Sequence, residues 1–149
     1  INHLVPEDQR SFGYTSKINR FESRYLLNLT KYLIKQKQFR PDQITILSMY
    51  LGQMSEIREL LANSMLPTVK CTTVDNYQGE ENEIILLSLV RSNKEGKIGF
   101  LDVKNRVCVA LSRARSGFYV IGNLDFICKS EKNGEWKEIV ETMKEKGKL

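Results

Sequence analysis

Nowhere does the sequence read G-x-x-x-x-G-K-[ST]. That is the loop whose backbone amides cradle a nucleotide's phosphates, so this chain does not hold a nucleotide alone by that route. Cysteine is scarce: Cys71, Cys108 and Cys128 are odd in number and have no C-x-x-C spacing. This excludes a disulfide framework and a zinc ribbon, and the thiols read as buried and free in a reducing compartment. The single histidine, His3, has no partner at ligand or triad spacing, which points to a structural role. No apolar run approaches the roughly 18 residues that a membrane span needs. The first residues, Ile1-Asn2-His3-Leu4-Val5, lack a basic lead-in and a small-residue cleavage site, and read as a strand cut from a longer chain.

What is present is an ordinary globular composition, 41% hydrophobic and 28% charged over 149 residues, enough for one domain with its own core. The 23 Lys and Arg exceed the 18 Asp and Glu by five, a mild excess compatible with a polyanionic partner.

Pro6 to Ser16 is polar, contains Gly13, and reads as a loop reaching about Asn19. Phe21, Tyr25, Leu29 and Leu33, with Leu26, predict an apolar stripe on a helix ending near Phe39. Short apolar strands are predicted at Ile44–Ser48, Val69–Val74, Glu83–Val90 and Phe118–Ile121. Helical spacing returns at Tyr50–Asn63, from Val103 through Val107 to Leu111 after a capping Asp102, around Leu124–Cys128, and at Trp136–Lys146. Gly117 is expected to stop the second of these, the helix through Val103, Val107 and Leu111. Strands alternating with helices give an α/β domain, a largely parallel sheet with helices on both faces. Ligands in such sheets sit outside the carboxyl ends of strands, here the loops after Ser48, Val74, Val90 and Ile121.

Two stretches carry the chemistry. In Gln78-Gly79-Glu80-Glu81, Gly79 allows positive φ, Gln78 can orient a water or an oxygen, and Glu81 can accept from a ribose hydroxyl or hold a hydrated metal. In Arg106-Val107-Cys108-Val109-Ala110-Leu111-Ser112-Arg113-Ala114-Arg115, a single helix puts Arg106 and Arg113 on one face, Leu111 inward, and Arg115 about 200° from Arg113. Taken singly, the first stretch is more often only a turn and such arginines are more often surface ion pairs.

Together with their surroundings these stretches resemble a family. Thr73 to Glu81, Ile84 to Asn93, Gly99-Phe100-Leu101 and Val109 to Arg115 are similar to motifs V and VI of superfamily 1B helicases. The closest branch is that of the nonsense-mediated-decay RNA helicase, with a lean towards helicases bearing NFX-type zinc fingers. Ile46 to Gln53 resembles motif IV and Asn19-Arg20-Phe21-Glu22 a family segment opening the first helix. Met49 stands where the family usually has proline, and Ser112 where threonine is commoner.

The resemblance implies that residues 1–149 are one RecA-like, P-loop-NTPase-type domain, the second of two that clamp ATP and Mg2+ between them. The first RecA-like domain, with its Walker lysine and acidic pair, would be the partner. Arg113 would be the catalytic arginine finger, with Gln78, Gly79, Glu81 and Arg115 beside the nucleotide. Ser48, Tyr50, Thr73, Arg91 and Asn93 would lie along single-stranded RNA, with no metal site and no sign of a homo-oligomer. The implied activity is cytoplasmic, ATP-dependent RNA unwinding or translocation by the whole protein, the isolated domain being inactive. A pseudo-helicase that binds RNA as a scaffold without turnover is the alternative.

Overall fold

A computed structural model describes residues 1–11, 15–130 and 134–148; Gly13 and the side chain of Val107 lie outside them. Four parallel strands form the sheet: β3 (Ile44–Ser48), β4 (Lys70–Thr73), β5 (Asn82–Ser88) and β6 (Ala114–Ile121), in the spatial order β4-β3-β5-β6. The two inner strands are covered on both sides, and β3 is buried at every position. Alternation divides the core by face. Ile44, Ile46, Ile84 and Leu86 meet Leu26, Leu33, Ile57 and Leu61 from α1 (Arg20–Lys37) and α2 (Leu51–Asn63). Leu47, Ile85, Leu87 and Val120 meet Ala110 of α3 (Lys104–Leu111), Ile127 of α4 (Leu124–Ser130), and Trp136 and Val140 of α5 (Glu135–Glu145). The result is the expected RecA-like α/β layering.

Four local expectations need correction. The loop at residues 6–19 contains an antiparallel pair, β1 (Asp8–Ser11) and β2 (Thr15–Ile18). The opening segment makes one parallel bridge, Asn2 to Gly122, beside β6 rather than a strand. On α1 the core-facing residues are Leu26, Leu27, Thr30 and Leu33, while Phe21 is 40% exposed. Steps of four overrun the 3.6-residue turn by about 40° each, so a stripe of four such residues drifts by about 120° and only one end of it faces the core. Finally, α3 ends at Leu111 and β6 begins at Ala114, before Gly117, and the residue capping α3 is Val103 with no side-chain cap bond.

The cysteines also differ from one another. Cys71 is buried on β4 and burial pushes its thiol up to about 12, whereas Cys108 is exposed and Cys128 half-buried.

Asn19 caps α1 by accepting from the Glu22 amide at 3.2 Å, which turns the Glu22 side chain into the molecule. Glu22 is fully buried. Its oxygens accept from the Val90 amide at 2.9 and 3.1 Å, from the Ser88 hydroxyl at 2.6 Å and from His3 Nε2 at 3.0 Å. His3 Nδ1 accepts from the Val5 amide, so Nε2 is the ring nitrogen with the proton to give. His3 thus has the structural role expected of it. Val90 itself has φ +70°, and Arg91 N donates to Leu89 O at 2.8 Å across it. This is a γ-turn with positive φ at a β-branched residue, a strained conformation held by Glu22 from behind.

Candidate functional site

The residues expected at a site fall at the two opposite ends of the sheet. At the carboxyl end, Ser48 and Thr73 are level neighbours on β3 and β4, and Ser88 is level with Ser48 on β5. At the amino end, Gln78 to Glu81 lead into β5 and Arg113 leads into β6. The segment Val74–Glu81 runs from one end to the other, so the carboxyl-end rule locates only half of what the motifs carry.

The amino edge is built by backbone pairing. Asn82 pairs with Ala114, and Asn82 N donates to Arg113 O at 3.1 Å, which fixes the two approaches side by side. Gly79 has φ +78° with nothing near a built Cβ, so its glycine is required by backbone conformation and not by crowding. Glu81 is ion-paired with Arg115, whose guanidinium also lies 3.8 Å from Glu83, and the Glu81 hydrogen bond raises the arginine further above its ordinary value. Arg113 differs. Its half-buried side chain carries, at Nε, the one buried side-chain polar atom among the described residues that has no hydrogen-bond partner. An unpaired buried donor costs stability and is an opening for an incoming acceptor. Because the helix ends at Leu111, Arg113 sits in the turn between α3 and β6, not on the face of Arg106.

The carboxyl end is a groove of about 500 Å³ whose walls include Tyr50, Thr73, Asn76, Phe100 and Arg106. Ser48 Oγ accepts from Tyr50 N at 3.1 Å and closes the turn into α2, with Met49 buried beneath it. Tyr50 is largely buried, its hydroxyl receiving Arg91 Nη1 at 3.1 Å and Phe100 N at 3.3 Å. Arg91 is also buried: its Nε donates to Glu7 Oε2 at 2.9 Å. The Ser92 amide at 2.7 Å and Asn93 Nδ2 at 3.1 Å donate to the same oxygen. Arg91 and Asn93 are therefore engaged by the chain's own carboxylate, and Ser48 is fully buried. Thr73 is nearly so, its hydroxyl accepting from Asn76 N at 3.4 Å, while Asn76 is exposed.

Burial works against the charge on Glu7, but donation from Asn93, Ser92 and Arg91 outweighs it and holds the carboxyl below its ordinary value of 4.5. A depressed folded value means that the stability Glu7 contributes is complete above 4.5 and is lost as pH falls through the lower folded value. Thermal melts between about pH 6 and pH 3 are expected to show an acid-side loss that Glu7→Gln removes. Equal acid slopes in the two proteins would rule this out.

Sequence reasoning missed Asp75, Phe100 and Glu7. Asp75 makes a two-pronged ion pair with Arg106, Nε to Oδ1 at 2.7 Å and Nη2 to Oδ2 at 2.8 Å, and the Arg106 guanidinium lies 4.6 Å from the Phe100 ring centre. Arg106 and Asp75 also border a second cavity of about 350 Å³ that extends to Gln78. The signal for Phe100 was available, since it lies within the Gly99-Phe100-Leu101 motif; nothing in the sequence tied Glu7 to Arg91.

Comparison with known proteins decides the family. A sequence model described as an AAA domain matches residues 2–125. NFX1-type zinc finger-containing protein 1 of Homo sapiens is 44% identical over 149 residues, all of this chain and 8% of that protein. The helicase required for RNAi-mediated heterochromatin assembly 1 of Schizosaccharomyces pombe is 42% identical over 146 residues, 96% of this chain and 14% of that protein. The ATP-dependent helicase upf1 of the same yeast is 33% identical over 149 residues, 96% of this chain and 16% of that protein. The chain belongs to this AAA domain family of Upf1-like superfamily 1 helicases. This helicase domain thus spans no more than about a sixth of any of these three relatives. No helix among the described residues is long and apolar enough to cross a membrane.

Proposed function

We propose that residues 1–149 are the second RecA-like motor domain of an ATP-dependent RNA helicase. The domain supplies an arginine finger at its amino edge and part of the single-strand path at its carboxyl end. The observation that carries this reading is Arg113: a guanidinium with an unpaired buried Nε, set beside the Gly79–Glu81 approach on the neighbouring strand. A triphosphate supplies the acceptor that this nitrogen lacks and the negative charge that a finger stabilises during transfer. Gln78 and Gly79 would border the nucleotide. Glu81, already paired with Arg115, would hold that arginine in place or exchange it for a ribose hydroxyl. The phosphate cradle and Mg2+ belong to a first RecA-like domain.

At the other end, Thr73 and the exposed Asn76 would face the strand directly. Ser48, Tyr50, Arg91 and Asn93 would act from below, shaping the loops that meet sugar and phosphate. Two relatives' names, which speak of RNAi and of nonsense transcripts, support RNA, whereas a third relative is named a DNA helicase, so the test carries both strands. Three cysteines outside any disulfide suit the cytoplasm.

The test compares the full-length protein with the isolated 149 residues, with and without single-stranded RNA or DNA oligonucleotides. Hydrolysis stimulated by RNA is expected from the full-length protein, and almost none from the isolated domain. Turnover by the domain near that of the whole protein would sink the half-site reading. RNA binding without turnover by the whole protein would assign the scaffold role instead.

A further inference from the structure

Phosphate contacts alone leave one feature of the carboxyl-end groove unexplained. Phe100 is 49% exposed, yet it is not loosely held. Its amide donates to the Tyr50 hydroxyl, its ring stands 5.4 Å from the Tyr50 ring at 40°, and Arg106 lies against it. The approach depends on Gly99, whose φ is +59° and where a Cβ would come within 2.5 Å of Arg91 Nη1 and 2.8 Å of the Tyr50 hydroxyl. A rigid aromatic surface is thus presented to an open groove. Leu51, 46% exposed, lies on the same groove.

The charge there also points away from a phosphate. Asp75 meets Arg106 with both oxygens, so the guanidinium that flanks Phe100 is already neutralised and fixed in plane. What remains is a flat surface of ring and guanidinium with little net charge, beside Thr73 and Asn76 at its edge. A base has a π-face and little charge; a phosphate has the reverse.

We propose that Phe100, backed by Arg106 and Asp75, is a stacking platform for one nucleobase of the bound single strand. The inference rests on the carboxyl-end RNA path of the preceding section and adds a base contact to it. Stacking of this kind is tolerant of sequence, since every base has a π-face.

The experiment uses the full-length protein and an oligouridylate carrying one 2-aminopurine, placed at successive positions in a set of otherwise identical strands. Quenching of the probe at one position is expected, lost in Phe100→Ala and Phe100→Leu and kept in Phe100→Trp. Leucine retains apolar bulk without a π-face, so it separates stacking from packing. Affinity for the strand is expected to fall about 5- to 100-fold in the alanine variant. The slope of log affinity against log salt should stay the same, since no phosphate contact is lost. Quenching indifferent to Phe100, or a slope reduced by about 1, overturns the platform. So does a fall in RNA-free ATP turnover with unchanged RNA affinity, which would make the ring an interdomain contact. Failure of the unaltered protein to bind any strand refutes the RNA path itself and is read separately.

Discussion

Arg113→Ala in the full-length protein is expected to lower the rate of ATP hydrolysis by about 10³ or more while nucleotide binding persists, because a finger acts on charge that develops only in the transition state. The side chain sits in the turn between α3 and β6 with its Nε unpaired, so it gives up no hydrogen bond at that atom when removed. Its backbone carbonyl keeps accepting from Asn82, which preserves the edge. Stability should therefore change little. Arg113→Lys is expected to recover only part of the rate, since a lysine has a point charge and no planar fork. Single-turnover hydrolysis and nucleotide affinity, measured on the same preparations, separate the roles. A loss of binding as large as the loss of rate would count against a finger, and unfolding of the alanine variant would make the residue structural.

Glu22→Ala should produce the largest loss of stability. Three groups donate to one fully buried carboxylate: the Val90 amide, the Ser88 hydroxyl and His3 Nε2. Alanine leaves the Val90 amide buried beside an empty space and releases the strained turn at Val90. Hydrogen bonds to a buried charge contribute about 1.5–3 kcal/mol each and are not additive, so a loss of about 3 kcal/mol or more is expected. For a domain of this size that corresponds to a fall in Tm of about 10 °C. Glutamine is not a neutral replacement. The Val90 amide and His3 Nε2 are donors, so the glutamine NH2 could donate only to Ser88 Oγ, which would then give up its own donation and already accepts from Gln53. Urea unfolding decides the matter: a change below about 1 kcal/mol in the alanine variant would show that the network is dispensable.

The fold was legible because both faces of the sheet are buried. Ile44–Ser48 and Ile84-Ile85-Leu86-Leu87 read as continuous apolar runs, which is how a covered parallel strand must read. The β1–β2 pair was not legible: its strands are polar and show no apolar alternation. The end of α3 was missed for a related reason. Ser112-Arg113-Ala114-Arg115 contains no breaker, and only pairing with β5 turns those residues into the start of a strand. Of the site, Gly79 announced its positive φ, and the motif order brought Glu81 and Arg115 to neighbouring strands. What single residues could not announce was their long-range partners. Glu7 and Arg91 are 84 positions apart, and an arginine expected on RNA is held instead by a carboxylate from the first segment.

The passage from β4 to β5 has a mechanical side. Thr73 is level with Ser88 across the sheet, so between Thr73 and Asn82 the backbone descends by about 20 Å and crosses two strand spacings of about 5 Å each. Only Val74–Glu81 intervene, three of them spent on the tight turn Asp75–Tyr77. Fully extended, the steps from Thr73 to Asn82 would reach about 30 Å, well beyond the roughly 22 Å to be covered. Two hydrogen-bonded turns, Val74–Tyr77 and Tyr77–Glu80, take up the excess, so the segment is coiled with length in reserve. On the proposed assignment, loosening either turn would let the Gly79–Glu81 edge move against a nucleotide while Thr73 stays paired in its strand.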